Sequence, residues 1–245
     1  MEKQSKITIH QIFWYFILFS IFGLIIETLY CYATMGIIES RKGLIWGPFC
    51  PVYGVGATLL ILLLNKVNQK NYLKLFLYGF VIGSIVEYLL SYGLEAIFST
   101  RFWNYTYTNM DINGRICVPY SLFWGVLAIL LMKVIKPLMD KLISKINKSI
   151  RNKVEIALFA FLLIDVFVTI WGLSTYQTRV SNIYLKKEDT NTLLNSQNIF
   201  IKMKNKVENE YFTNERMLKI FPKLRMKDEN GNELFMKDVL QKTQE

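Results

Sequence analysis

Long apolar runs fill most of the chain between residues 11 and 175, and they constrain its fold more than any other feature. A helix rises about 1.5 Å per residue, so about 20 mainly apolar residues are needed to cross a hydrocarbon layer about 30 Å thick. Five segments meet or nearly meet this requirement, at residues 8–33, 49–65, 72–98, 117–138 and 154–176. The sequence therefore predicts an all-α membrane protein, with residues 1–177 forming a bundle of about five transmembrane helices.

The remaining residues, 178–245, are polar and charged, and we expect a small α+β tail with short helices and a hairpin. Thr213 can cap a short helix, because a threonine oxygen accepts an otherwise unpaired amide hydrogen at a helix start, and Pro222 ends that helix. The following KLRMKDENGNELFM is typical of a β-hairpin, with Asn230-Gly231 supplying the positive φ angles of a tight turn.

A basic segment, KVIKPLMDKLISKINKSIRNKVE, separates the fourth and fifth apolar segments. Its apolar residues recur every three or four positions among lysines, at Ile135, Leu138, Leu142, Ile146 and Ile150. This spacing predicts an amphipathic helix at the membrane surface. An ordinary basic loop is the alternative.

The net charge of +10 reflects membrane topology rather than nucleic-acid binding. The N-terminus and the loops after the second and fourth segments carry most of the lysines of residues 1–177, whereas the other loops carry only Arg41, Lys42, Arg101 and Arg115. The positive-inside rule then predicts a multi-pass protein of the cell membrane with a cytoplasmic N-terminus and an external tail. This orientation holds only if the short second segment crosses the membrane.

Metal and cofactor chemistry is not expected from this composition. The chain has one histidine and three cysteines, without C-x-x-C spacing. It also lacks the G-x-x-x-x-G-K-[ST] phosphate loop, so ATP hydrolysis would need a separate chain.

Four carboxylates interrupt the apolar segments: Glu27, Glu87, Glu95 and Asp165. At 100° per residue, Ser84, Glu87, Ser91 and Glu95 fall on one helical face. Ionisable groups inside a membrane cost about 2.5–3.5 kcal/mol and usually face a protein interior. This stripe indicates either a polar pathway or structural ion pairs with Arg41, Arg101 or Arg115.

Two irregular loops supply the other candidate residues. In RKGLIWGPFCPVYGVG, the prolines remove amide donors and prevent a regular helix start, which predicts a re-entrant segment, a loop packed over the bundle or a simple turn. In FWNYTYTNMDINGRIC, the turn at Asn113-Gly114 places Arg115 where it can meet Glu27, Glu87 or Glu95. The candidates in and after these loops are Gly47, Pro48, Cys50, Pro51, Tyr53, Gly54, Trp103, Asn104, Tyr105, Asn113, Gly114, Cys117, Ser121 and Trp124. Cys50 and Cys117 should lie near each other, either as buried thiols or as a disulfide.

The combined motifs resemble the bacterial ABC-transporter type IV family of membrane proteins over nearly the whole chain. The resemblance depends on Gly23 and Glu27, RKGLIWGPFCPVYGVG, Glu87 and Glu95, WNY at 103–105, NGRIC, SLFWG at 121–125 and YFTNERMLKIFPKLR. Asn104 departs from the aspartate that is more usual there. The resemblance implies the permease component of a transporter, with an ATPase as a separate subunit and an unspecified substrate.

Two other functions stay open. The same carboxylates could serve as acid and base in a membrane-embedded enzyme acting on lipid or cell-envelope substrates, although the sequence shows no nucleophile–base pair and favours a non-enzyme. A membrane sensor or assembly partner could bind through its tail. Five helices are few for a lone transporter, so self-association is expected.

Overall fold

A computed structural model describes residues 6–98, 101–108, 110–185, 199–228 and 233–242. Its helices are α1 Ile9–Met35, α2 Pro51–Leu64, α3 Tyr72–Phe98, α4 Val118–Leu130, α5 Lys136–Ser144, α6 Lys148–Tyr184, α7 Ile199–Tyr211, α8 Asn214–Ile220 and α9 Met236–Gln241. Two short antiparallel pairs accompany them: β1 Asp111–Ile112 with β2 Ile116–Cys117, and β3 Arg225–Lys227 with β4 Glu233–Phe235.

Four helical stretches are long and apolar enough to cross a membrane: Ile9–Met35, Tyr72–Ile97, Val118–Ser144 and Lys148–Tyr184. The predicted class, a mostly helical membrane protein, is therefore confirmed. The second predicted segment forms α2, which has only 14 residues. At 1.5 Å per residue, α2 spans about 21 Å and is too short to cross by itself.

The basic segment after the fourth apolar segment is helical up to Ser144, as the amphipathic spacing predicts, but it continues α4 instead of starting a helix of its own. A π-helical turn at Leu131–Ile135 joins α4 to α5, so one helical rod runs to Ser144 and α6 begins at Lys148. Pro137 has no amide hydrogen to donate, and the π turn shifts the hydrogen-bond ladder just before it. Met139 and Ile143 pack in the core of the bundle, whereas Leu138 and Leu142 stay exposed. Core packing of these two residues makes the segment part of the bundle.

Helices α3 and α4 pack closely against each other. A Cβ atom at Gly83 would lie 2.6 Å from the Cβ of Trp124, and one at Gly125 would lie 2.6 Å from the ring of Phe76. Larger residues at these two positions would push the helices apart. The approach brings the polar face of α3 against α4.

The C-terminal tail packs on the last turns of α6. Its apolar residues Phe212, Met217 and Met236 form one core with Tyr176 and Val180 of α6. Thr213 caps α8 by accepting a hydrogen bond from the Arg216 amide. The predicted Asn230-Gly231 turn lies outside the described residues.

Tail contacts define two ends of the bundle. Lys223 of the tail lies 3.7 Å from Glu39, just after α1, and Lys227 lies 2.6 Å from Glu95, near the end of α3. We call this the tail end. At the opposite end, Glu155 of α6 accepts hydrogen bonds from Trp14 at 2.7 Å and contacts His10 at 2.6 Å.

Candidate functional site along the third helix

The polar stripe predicted for α3 faces the protein interior. Ser84, Glu87 and Ser91 are each at most 9% exposed, and the side chain of Glu95 is 14% exposed. Ser84 donates to the Phe80 carbonyl within α3 and lies 2.7 Å from the Ser121 hydroxyl on α4. The stripe therefore lies along the α3–α4 contact, from the middle of α3 to the tail end.

Glu95 is the anchor of a charge cluster at the tail end. Its Oε2 atom accepts from Arg115 at 2.6 Å and from Arg101 at 3.1 Å, and its Oε1 atom accepts from Lys227 at 2.6 Å. The predicted contact between Arg115 and a glutamate is confirmed. Arg115 does not form a bidentate fork, because its second terminal nitrogen donates to Ser91 at 3.2 Å.

Glu233 on β4 extends this cluster into the tail. It lies 3.1 Å from Arg101 and 3.1 Å from Arg225, and it accepts a 2.8 Å hydrogen bond from Asn104. An isolated β-bridge between Arg101 and Arg225 fixes the two segments together. We call Glu95, Glu233, Arg101, Arg115, Arg225 and Lys227 the tail-end cluster. Sequence reasoning missed its three tail residues. Arg225 and Lys227 belong to the alternating basic pattern of KLRMK, but that pattern gave no signal for Glu233.

Glu87 has a different environment, deeper in α3. It accepts from the Tyr105 hydroxyl at 2.8 Å and from the Trp124 indole at 2.9 Å. Within the described part of the chain, it has no salt bridge. Burial raises the pKa of Tyr105 above its ordinary value, and the nearby Glu87 carboxylate raises it further.

The loop before α4 folds so that Tyr105 can reach Glu87. Asn113 and Gly114 both have positive φ, at 54° and 66°, and they form the turn between β1 and β2. Trp103 donates to the Arg115 carbonyl at 3.1 Å, and Tyr105 stacks on Tyr120 with centroids 4.7 Å apart. The turn and ring contacts therefore position Arg115 and Tyr105 over the stripe.

Glu27 belongs to a separate group, away from the tail-end cluster. It accepts a short hydrogen bond from the Tyr53 hydroxyl and lies 3.8 Å from Arg41. Arg41 also lies 2.9 Å from the Cys31 sulfur and 3.5 Å from Glu39. The structure therefore does not bring Glu27 together with Arg115.

The loop of residues 36–50 folds back alongside α1. The Cys50 amide donates to the Ser20 carbonyl at 3.0 Å, and Ser20 precedes Met35 by fifteen positions, about 22 Å along a helix. Gly47 has a positive φ of 64°, and Gly54 packs directly on Phe16 and Ser20. These contacts rule out a simple turn and show a loop packed along the bundle.

Asp165 supports this loop. The carboxylate accepts from the Trp46 amide at 3.0 Å, and the Ile45 amide donates to Thr169 at 3.0 Å. Asp165 is fully buried. Its contacts satisfy loop amides that have no helix to pair with, which is a structural role.

The three cysteines, Cys31, Cys50 and Cys117, are buried free thiols. Of the two arrangements expected for Cys50 and Cys117, the structure therefore shows thiols. The described residues contain no group of three His, Cys, Asp or Glu side chains suited to a metal ion.

A cavity of about 520 Å³ lies beside the tail-end cluster. Its wall is formed by α3, the loop before α4, α6 and the tail. The lining residues include Tyr92, Glu95, Arg115, Gln177, Ser181 and Lys227. Cavities of about 300–1,000 Å³ are typical of small-molecule sites. Arg115 links this cavity to the polar stripe of α3, because it lines the cavity and also donates a hydrogen bond to Ser91.

The model of a family described as "Putative ABC-transporter type IV" matches residues 14–170, which include most of α1, all of α2 to α5, both irregular loops and part of α6. No curated protein and no solved structure is significantly similar to the chain.

Proposed function

The chain belongs to the putative ABC-transporter type IV family, and from that premise we propose that it is a permease-like component that moves a solute along the polar face of α3. The observation that carries this proposal is the buried stripe Ser84, Glu87 and Ser91, which leads from the tail-end cavity into the bundle. Polar groups inside a membrane are costly unless they pair or meet water. A stripe that continues to an open cavity supports a route for a polar solute.

Four long helices account for four of the five predicted membrane crossings, and the second crossing has no long helix of its own. We propose that the loop of residues 36–50 and α2 together make this crossing, which gives five crossings in all. The lysine distribution then places the N-terminus in the cytoplasm and the tail outside the cell. Irregular backbone is tolerated at membrane depth when it is buried in protein, and the contacts of this loop with Ser20 and Asp165 meet that condition.

Energy for transport would come from a separate ATPase subunit, because the sequence has no phosphate loop. The proposed cytoplasmic end offers lysines around the turn between α5 and α6, at Lys141, Lys145 and Lys148. We propose this turn as the contact for that subunit. Self-association of the chain would add helices to the route.

Substituted-cysteine labelling in membrane vesicles tests the proposed route. In a background without Cys31, Cys50 and Cys117, single cysteines at Ser84 and Ser91 are treated with a charged, membrane-impermeant thiol reagent. Ile85 and Leu89 are matched controls, because they lie at similar heights on the exposed face of α3. We expect labelling at Ser84 and Ser91, and little at Ile85 and Leu89, which would face lipid.

The side from which the reagent acts separates the candidate functions. A permease route predicts that the stripe reacts in both right-side-out and inside-out vesicles. Reaction from the tail side alone would favour a closed pocket, as in a membrane-embedded enzyme. A further cysteine at the exposed Lys237 should react only from outside, and the opposite result would overturn the proposed orientation.

A further inference from the structure

The tail-end cluster carries an excess of positive charge. Its two carboxylates, Glu95 and Glu233, are shared among four cations, Arg101, Arg115, Arg225 and Lys227. Four positive and two negative groups leave a net charge of +2. Surplus cations held in place by shared carboxylates are suited to bind an anion without rearrangement.

The cavity presents two of these cations directly. Arg115 and Lys227 line it from different elements, one from the loop before α4 and the other from the tail. Only two hydrogen bonds within the described residues use the Arg115 guanidinium, to Ser91 and Glu95, although a guanidinium has five N–H donors. The Lys227 side chain is 49% exposed, so its ammonium can also contact a ligand.

The rest of the wall suits the remainder of an organic ligand. Ser181 and Gln177 provide hydroxyl and amide groups, whereas Tyr92, Ala96 and Met226 provide apolar surface. A cavity of about 520 Å³ is large enough for more than an inorganic ion.

We propose that the tail-end cavity binds a phosphate-bearing organic anion between Arg115 and Lys227. A phosphate group with one to two negative charges matches the +2 surplus of the cluster. The phosphate belongs either to a soluble metabolite or to a lipid headgroup, since both present the same oxygens to the two cations. If the chain is the proposed permease, this anion is its transported substrate. The binding site itself does not depend on that proposed function.

The tail is part of this site. Lys227 comes from β3, whose position against Arg101 is fixed by the β-bridge at Arg225. The family match ends at residue 170, so half of the cationic pair lies outside the matched region. Specificity for the anion would then depend on the tail as well as on the helices.

Thermal unfolding of the full chain in dodecyl maltoside micelles, which carry no phosphate, tests the site. One arm adds inorganic phosphate, with sodium chloride of equal ionic strength as the reference. The other arm adds phosphatidylglycerol to the micelles. We expect a saturable rise of the unfolding midpoint, with phosphate for a soluble ligand or with phosphatidylglycerol for a headgroup.

Two charge-matched variants locate the binding. Lys227→Gln removes a cavity cation, and Lys237→Gln removes an exposed tail lysine with the same loss of charge. Loss of a charge-assisted hydrogen bond predicts affinity weakened about tenfold or more for Lys227→Gln, with little change for Lys237→Gln. Ser181→Ala provides a neutral second probe of the same cavity if Lys227→Gln folds poorly.

The failures of the two proposals can be told apart. No midpoint shift in either arm, or equal responses of Lys227→Gln and Lys237→Gln, would overturn the anion site. Those results would leave the vesicle labelling of Ser84 and Ser91 unaffected. Anion binding at Lys227 without labelling of the stripe would keep the site and overturn the transport route.

Discussion

Glu87 and Glu95 lie eight residues apart on one face of α3, and the protein stabilises them in different ways. Glu95, near the tail end, contacts three cations: Arg101 and Arg115 from the loop between α3 and α4, and Lys227 from the tail. Glu87 lies about 12 Å deeper by helical rise and accepts hydrogen bonds from two neutral donors, Tyr105 and Trp124.

Depth explains this difference. Near the end of the helix, long basic side chains from polar loops can reach a carboxylate while water still solvates part of them. In the middle of the bundle, every added charge must be desolvated, and neutral donors cost less to bury. The same helix face therefore carries a charge network at its end and a hydrogen-bond network inside.

The largest effect is expected for Arg115→Ala. Arg115 is 8% exposed, and its loss leaves Glu95 with two of three cations and Ser91 without its donor. We expect the free energy of unfolding to fall by about 3 kcal/mol, the lower end of the range for breaking a buried pair. Denaturant titration in mixed micelles measures this change.

Arg115→Lys tests the geometry of the same contact. Two different nitrogens of the Arg115 guanidinium donate to Ser91 and Glu95, and the single ammonium of a lysine cannot reach both. Lys should therefore recover only part of the lost stability. Lys242→Ala, on the exposed end of the tail, is the control for removing a cation. Full recovery by Lys would show that Arg115 acts as a simple charge.

Glu87→Ala should have the next largest effect. It leaves the Tyr105 hydroxyl and the Trp124 indole without an acceptor, which should cost about 2 kcal/mol after some relaxation of the loop. Glu87→Gln retains one carbonyl oxygen and should cost about 1 kcal/mol. Unfolding titrations of both variants make the comparison, and unchanged stability of Glu87→Gln would show that a single acceptor oxygen is sufficient at this position.

Tyr105→Phe tests the hydrogen-bond network through pH. The substitution removes the hydrogen bond to Glu87 and should lower the free energy of unfolding by about 1 kcal/mol at neutral pH. Because the pKa of Tyr105 is raised in the folded protein, its contribution is fully present below the unfolded value of about 10 and is lost as pH rises beyond it. Stability measured from pH 8 to 11 should therefore fall less steeply for Tyr105→Phe, and parallel curves would contradict the assignment.

The smallest effect is expected for Lys227→Gln without any ligand. Its side chain is half exposed, so the pair with Glu95 should contribute less than about 1 kcal/mol. The difference from the native chain should shrink in 1 M NaCl, where the screening length is about 3 Å. A difference that salt does not change would contradict a screened, half-exposed ion pair.

The helices and the polar stripe could be predicted because both depend on local spacing. Apolar length gave the four long helical stretches, and 100° per residue placed Ser84, Glu87, Ser91 and Glu95 together. The position of Arg115 after a short turn was enough to predict its contact with a glutamate. These features involve residues that are near in sequence or fixed by one helix.

Tertiary structure alone decided which partners the carboxylates meet. Lys227 and Glu95 are 132 positions apart, and their contact depends on how the tail docks on α6 and how β3 lies against Arg101. The paths of the two irregular loops bring Tyr105 to Glu87 and Tyr53 to Glu27, so Glu27 has a partner other than Arg115. The continuation of α4 into α5 likewise depended on core packing of Met139 and Ile143. Hydrophobic spacing sets which segments are helical, but long-range packing sets which charges can be close enough to pair.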